Sequence, residues 1–113
     1  MTGFSPAVRR TIILRADYWC ERCGAELGVD IHHRRPRGMG GTRRPSTNQP
    51  SAGLWLGRGC HNHVESHRTE AYEHGWLVHQ TAEPADIPVL YRGTLVLLDD
   101  LGNLHPAEPG EVA

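Results

Sequence analysis

Three short stretches of this 113-residue chain carry residue types that do chemistry. The first runs Ile31-His32-His33-Arg34-Arg35-Pro36-Arg37-Gly38-Met39-Gly40-Gly41, two adjacent imidazoles opening a basic, glycine-rich segment. The second is Cys60-His61 with Glu65 four residues beyond the histidine, and the third is Cys20-x2-Cys23 followed by Gly24. An imidazole titrates at about pH 6.5, so at neutral pH it can accept a proton or offer a lone pair to a metal. Neighbours on a strand point to opposite sides, so His32 and His33 serve one site only if a twist or bend turns both toward it. One would then bind a metal while the other acts on a nearby water. Positions four apart on a helix share a face, which lets His61 and Glu65 reach one divalent ion. Three cysteines are an odd number, and Met1–Arg15 lacks a secretory layout, so the thiols point to zinc rather than to disulfides. A zinc site on Cys20, Cys23 and Cys60 would tie the first hairpin to the start of the later helix and carry His61 toward His32 and His33.

The elements that must position these residues are legible in outline. Ser5-Pro6 has the form of an N-cap followed by proline in the first turn, and Val8, Ile12 and Ala16 recur at four-residue intervals, with Ile13 and Leu14 widening the apolar face. The pattern predicts a helix over about 6–17. Val29–His33 and Leu54-Trp55-Leu56 read as two strands that pair. Between them, residues 36–53 hold four Gly and three Pro, a loop long enough to suggest function. A second helix is expected over about 61–74, ended by Gly75, with Val64, Arg68, Ala71 and Tyr72 along one side. Residues 83–88 read as a linker. Val89–Tyr91 and Thr94–Leu98, with the turn residues 99–103, read as a small hairpin.

Size and charge set the frame. Hydrophobic residues make up 38% of the chain and mean hydropathy is −0.49, enough for one thin core. A domain of this size buries roughly two-thirds of its unfolded surface, so cross-links help. No stretch approaches the roughly 18 apolar residues of a membrane span, and a transmembrane, secreted or collagenous reading is set aside in favour of a cytoplasmic protein. The net charge of −1 conceals an asymmetry: residues 1–68 carry +6 and residues 69–113 carry −7. Lysine is absent, and five of the 12 arginines fall within residues 34–44. Guanidinium suits bidentate phosphate contact.

The order of these motifs resembles the HNH endonucleases of the ββα-metal fold, in the small form common in phages and actinobacteria. HHRRPRGMGG, GCHNHVESHR and the later GWLV carry the resemblance, which covers about residues 9–79. It implies an α+β fold with a ββα-metal core, an N-terminal helix, a zinc-knuckle-like Cys cluster and a C-terminal β-hairpin. The divisions would be residues 1–19 (helix and lead-in), 20–79 (nuclease core) and 80–113 (linker and acidic hairpin), all within one domain. It implies His33 as the general base, with His32 and His61 as ligands of a catalytic divalent ion (Mg, Mn, Ni or Zn) and Glu65 as a further ligand. Products would carry 5′-phosphate and 3′-hydroxyl ends. Arg34, Arg35, Arg37, Arg43 and Arg44 would hold the DNA backbone, with weak sequence specificity because no base-reading helix is apparent. A packaging terminase is the partner that family context suggests.

Two positions depart from the family pattern. Gly57 stands where a fourth zinc ligand is usual, leaving Cys20, Cys23 and Cys60 one short; the alternatives are completion by water or His63, or a site that binds zinc weakly or not at all. Ala52 stands where the middle Asn is usual, leaving Asn48 on the loop as the nearest candidate to hold the base histidine. These departures make a catalytically degenerate zinc-knuckle module that binds nucleic acid the alternative expectation. A third is a zinc-stabilised interaction domain whose acidic C-terminal part binds a protein partner or covers the basic loop.

Overall fold

A computed structural model of the chain describes residues 3–36 and 45–107. Helix α1 spans Pro6–Ala16. Its start follows from Ser5, whose Oγ accepts the Val8 amide at 3.2 Å, and from Pro6 in the first turn. It ends where Asp17 turns left-handed at φ 53° and the amides of Asp17 and Tyr18 cap the carbonyls of Leu14 and Ile13. Ile12 and Ala16 face inward, with Phe4 and Ala52 packed beside Ile12, whereas Leu14 is exposed and does not widen the buried face. Arg15 lies under the helix, nearly sealed from water. It grips Glu21 through two 2.7 Å hydrogen bonds and donates to the carbonyls of Pro50 and Gly53 at 2.8 Å. The helix is thereby fixed to the strand that follows the loop.

Strand β1 (Asp30–His33) pairs antiparallel with β2 (Gly53–Leu56), setting His32 opposite Leu54 and His33 opposite Gly53. Helix α2 (Arg58–Ser66) follows β2 after a single residue, completing a ββα unit, and α3 (Arg68–Glu73) follows α2. The continuous helix expected over 61–74 is therefore two. It starts three residues early and breaks at His67, whose backbone (φ −124°, ψ 63°) is not helical. Beyond the break, Ala71 of α3 lies in the same core as Val64 of α2.

The C-terminal part is a three-stranded antiparallel meander of β3 (Val89–Tyr91), β4 (Thr94–Leu98) and β5 (Leu104–Pro106). The expected hairpin thus gains a third strand. Arg92 and Gly93 make its first turn, both at positive φ (50° and 87°), as a two-residue hairpin turn requires. Asp99 makes its second, its Oδ1 accepting the amides of Leu101 and Asn103 at 2.8 Å. Val89, Tyr91, Val96 and Leu98 enter one core with Leu54, Leu56, Val64, Trp76 and Leu77. Among the described residues the result is a compact α+β domain of three α-helices and two small antiparallel sheets, and none of these helices is long and apolar enough to cross a membrane.

Arg34 locks the two parts together. Wholly buried, it donates to the carbonyls of Gly75 (2.9 Å), Ser51 (2.7 Å), Pro84 (3.0 Å) and Ile87 (2.9 Å). The segment read as a linker is a packed 3-10 turn, Pro84–Asp86, held by this guanidinium. Arg35 is also buried, donating to Ala82 O at 2.8 Å and to the hydroxyls of Ser46 and Thr47.

Candidate functional site

A cleft of about 350 Å³ opens where the end of β1 meets α2, lined by His32, His33, His61, Glu65 and Arg68. His32 projects from β1 and is 3% exposed. Its Nε2–H donates to the carbonyl of Trp76 at 2.8 Å, which leaves Nδ1 as the lone-pair nitrogen, 3.5 Å from Glu65 Oε1. His61 lies in the early part of α2. Its Nδ1–H donates to Asp30 Oδ2 at 3.1 Å, leaving Nε2 as the lone-pair nitrogen, 3.8 Å from the same Glu65 oxygen. The two rings meet edge to face with centroids 5.5 Å apart. One ligand atom from each of His32, His61 and Glu65 falls within 4.8 Å of the others, so the group could hold a metal ion. Each imidazole donates its other N–H to a fixed acceptor, an arrangement that sets the tautomer of a metal-ligating histidine.

Burial holds His32 far below its ordinary pKa, down to about 4. The Trp76 carbonyl opposes the shift, and the neighbouring His61, His33 and Arg34 add to it. The ring is therefore neutral at neutral pH and loses little ligand strength to protons.

His33 reaches the same cleft although it follows His32 directly. It is the last residue of β1, and the chain bends through Arg34 and Arg35 immediately after it. Its ring stacks on Phe4 with centroids 4.2 Å apart, and its Nε2–H donates to Asn48 Oδ1 at 3.0 Å. That bond makes Nδ1 the proton-accepting nitrogen. Asn48 belongs to the 3-10 turn Pro45–Asn48, whereas Ala52 is buried in the α1 cluster. The loop thus brings its asparagine to His33 from four residues earlier in the sequence.

The thiols form a second group away from the cleft. Ligand atoms of Cys20, Cys23, Cys60 and Glu26 all lie within 4.8 Å of one another, and this group also could hold a metal ion. Burial works against ionising Cys20, but the amides of Cys23, Gly57 and Arg22 outweigh it and pull the thiol below its usual range. Cys60 is pushed up to about 12 by burial; Arg22 opposes this, while Cys23 and Cys20 reinforce it. A bound cation would reverse that, since a coordinating thiol is deprotonated outright.

The expected completion by His63 is corrected. Its Nε2 pairs with Glu70 at 2.7 Å and its ring stacks on His67, so it faces α3 instead of the thiols. Arg34 and Arg35 are corrected as phosphate contacts, because both are buried with their guanidiniums committed to groups of the fold. Arg37, Arg43 and Arg44 lie outside the described residues. The cleft has instead Arg68, half-exposed and 3.4 Å from Glu65 Oε2.

Asp30, the Trp76 carbonyl and Glu26 were not foreseen. Asp30 had a signal, since it lies two residues before His32 and so on the same face of the strand. Glu26, three residues after Cys23, had a weaker one. No family model, curated protein or solved structure compared with this chain matches it.

Proposed function

We propose that this chain is a metal-dependent endonuclease of the HNH type that hydrolyses DNA phosphodiester bonds. The observation that carries the reading is the convergence of His32 Nδ1, His61 Nε2 and Glu65 in one cleft with a histidine held by an asparagine. A divalent ion held by His32, His61 and Glu65 would supply positive charge for the scissile phosphate and for the departing 3′ oxygen. His33 takes the proton of the attacking water at Nδ1 as the new P–O bond forms and the bond from phosphorus to the 3′ oxygen breaks. The 3′ oxygen then takes a proton from solvent, leaving 5′-phosphate and 3′-hydroxyl ends. Asn48 holds the ring during this exchange, its Oδ1 facing the N–H of the imidazolium that forms. Phe4 fixes the plane of the ring, which matters because a misplacement of about 1 Å can cost roughly a hundredfold in rate. Arg68 at the cleft rim supplies a guanidinium for the neighbouring phosphate.

The test is incubation with supercoiled plasmid and Mg2+, Mn2+ or Ni2+. Nicking that EDTA stops, and that His33→Ala abolishes while metal binding is retained, is the expected result. A wild-type protein that binds metal and DNA and leaves the plasmid intact would instead be a nucleic-acid-binding module, and the enzymatic reading would fall.

A further inference from the structure

The thiol cluster is independent of the nuclease reading and has its own logic. Three cysteines alone leave a tetrahedral zinc site open on one side, whereas structural zinc sites are closed by four protein ligands. Gly57 lies three residues before Cys60 with its amide on the Cys20 thiol, and the space beside it is filled. A Cβ built on Gly57 would fall directly on the Glu26 carboxylate. The backbone at Gly57 has φ −71° and ψ 165°, a conformation open to any residue, so no turn requires glycine here. What requires it is the carboxylate. Glu26 is delivered by the knuckle itself. Gly24, at φ 70°, turns the chain so that its amide reaches Cys20 O at 2.8 Å, and the Cys20 amide reaches Glu26 O at 2.8 Å. Residue 26 is thereby anchored back onto Cys20, and its carboxylate oxygen joins the three sulfurs.

We propose that Glu26 is the fourth ligand of a closed Cys3Glu zinc site, and that Gly57 is glycine because the carboxylate occupies the space a side chain there would fill. Bond lengths of about 2.3 Å for zinc–sulfur give tetrahedral edges of about 3.8 Å, and oxygen brings the edge slightly lower. The four ligand atoms lie within 4.8 Å of one another, so closing on an ion takes shifts under about 1 Å. Three thiolates and a carboxylate leave the zinc complex with an excess of negative charge, and the surroundings offset it. Arg22 donates from Nη1 to Cys60 Sγ at 3.2 Å while its guanidinium lies 4.3 Å over the Trp76 ring. Arg92 packs its side chain against Gly24 and donates to Cys20 O at 3.0 Å. The Ala25 amide points at Cys23 Sγ at 3.4 Å, in the manner of amides that support a metal-bound thiolate. Zinc with all four positions filled by protein ligands and no redox chemistry has a structural role here and none in the cleft chemistry.

The experiment measures zinc content and affinity of the full chain, with Co2+ substitution as a spectroscopic reading of the ligand set. The wild type is expected to hold one zinc at this site and, with Co2+, to show the absorption of three thiolates and one oxygen. Glu26→Ala should weaken zinc at least about a hundredfold, the upper end of what even outer-shell changes cost. Gly57→Ala should weaken it comparably by displacing the carboxylate. The deciding variant is the double change Glu26→Ala with Gly57→Cys, which supplies the fourth ligand from residue 57 into the space the carboxylate leaves. It should recover tight zinc binding and shift the Co2+ bands to longer wavelength as a fourth sulfur replaces oxygen. Unchanged affinity and an unchanged Co2+ spectrum in Glu26→Ala would overturn the proposal, and so would failure of the double variant to regain zinc. If Glu26→Ala fails to fold, recovery of folding and zinc in the double variant supports the proposal, and lack of recovery refutes it.

Discussion

At the scale of single residues, the account rests on which nitrogen of each imidazole is already in use. His32 and His61 each donate one N–H to an acceptor outside the cleft, the Trp76 carbonyl and Asp30, and present the other nitrogen to Glu65. Asp30→Asn keeps the size but removes the charge that supports His61, and should lower affinity for the cleft metal about 10–100-fold without unfolding the protein. Isothermal titration of a zinc-loaded sample with Mn2+ would check this. The buried ring of His32 also predicts a pH dependence. Its folded pKa of about 4 lies below the value of about 6.5 expected when unfolded, so the folded state favours the neutral ring. The stabilisation is fully present above about pH 6.5 and is lost as pH falls toward 4, because the unfolded chain takes up a proton that the folded chain refuses. The full effect is of order 3 kcal/mol in the absence of cleft metal. Urea denaturation between pH 7 and pH 4 should show it, and His32→Gln should flatten it. The histidines themselves were legible from sequence, since residue type and the i, i+4 spacing of His61 and Glu65 depend on nothing distant. Their acceptors were not, because the Trp76 carbonyl arrives from 44 residues away.

At the scale of elements, local signals and tertiary demands part company. Helix α1 and the two-strand pairing follow from capping chemistry and apolar patterning, and both are present with nearly the expected limits. The split between α2 and α3 has no counterpart in propensity. It falls at His67, whose backbone (φ −124°, ψ 63°) leaves the helical region, and neither Pro nor Gly marks the position in the sequence. The arginine run misled for a related reason. Charge density in sequence says nothing of direction, and Arg34 and Arg35 turn inward to satisfy backbone carbonyls. Arg34→Met keeps the volume but strands four carbonyls, each costing about 1–3 kcal/mol if left unpaired. We expect a loss of at least about 3 kcal/mol by chemical denaturation, felt as instability instead of a changed salt dependence of DNA binding. Arg68→Ala should do the opposite, leaving stability nearly unchanged and reducing the log–log salt slope of DNA binding by about 0.9. A gel-shift series over ionic strength distinguishes the two.

At the scale of the whole molecule, the charge split between residues 1–68 and 69–113 does not correspond to two separable pieces. Val89, Tyr91, Val96 and Leu98 share the core with Leu54 and Val64, and Arg92 ties the β3–β4 turn to the carbonyls of Ala16, Trp19 and Cys20. A deletion of residues 80–113 should therefore unfold the protein, visible as loss of the cooperative thermal transition, and not simply uncover a basic surface. The division at residue 79 looked natural in sequence because Pro and acidic residues cluster there, yet Arg34 binds Pro84 and Ile87 directly. The central claim is that the cleft seats one divalent ion between His32, His61 and Glu65. Anomalous diffraction at the zinc edge, from crystals grown with Zn2+, measures that most directly. The account predicts a peak about 2.0–2.2 Å from His32 Nδ1, His61 Nε2 and a Glu65 oxygen. An open, ordered cleft with no peak there, beside a zinc-filled thiol site, would contradict it.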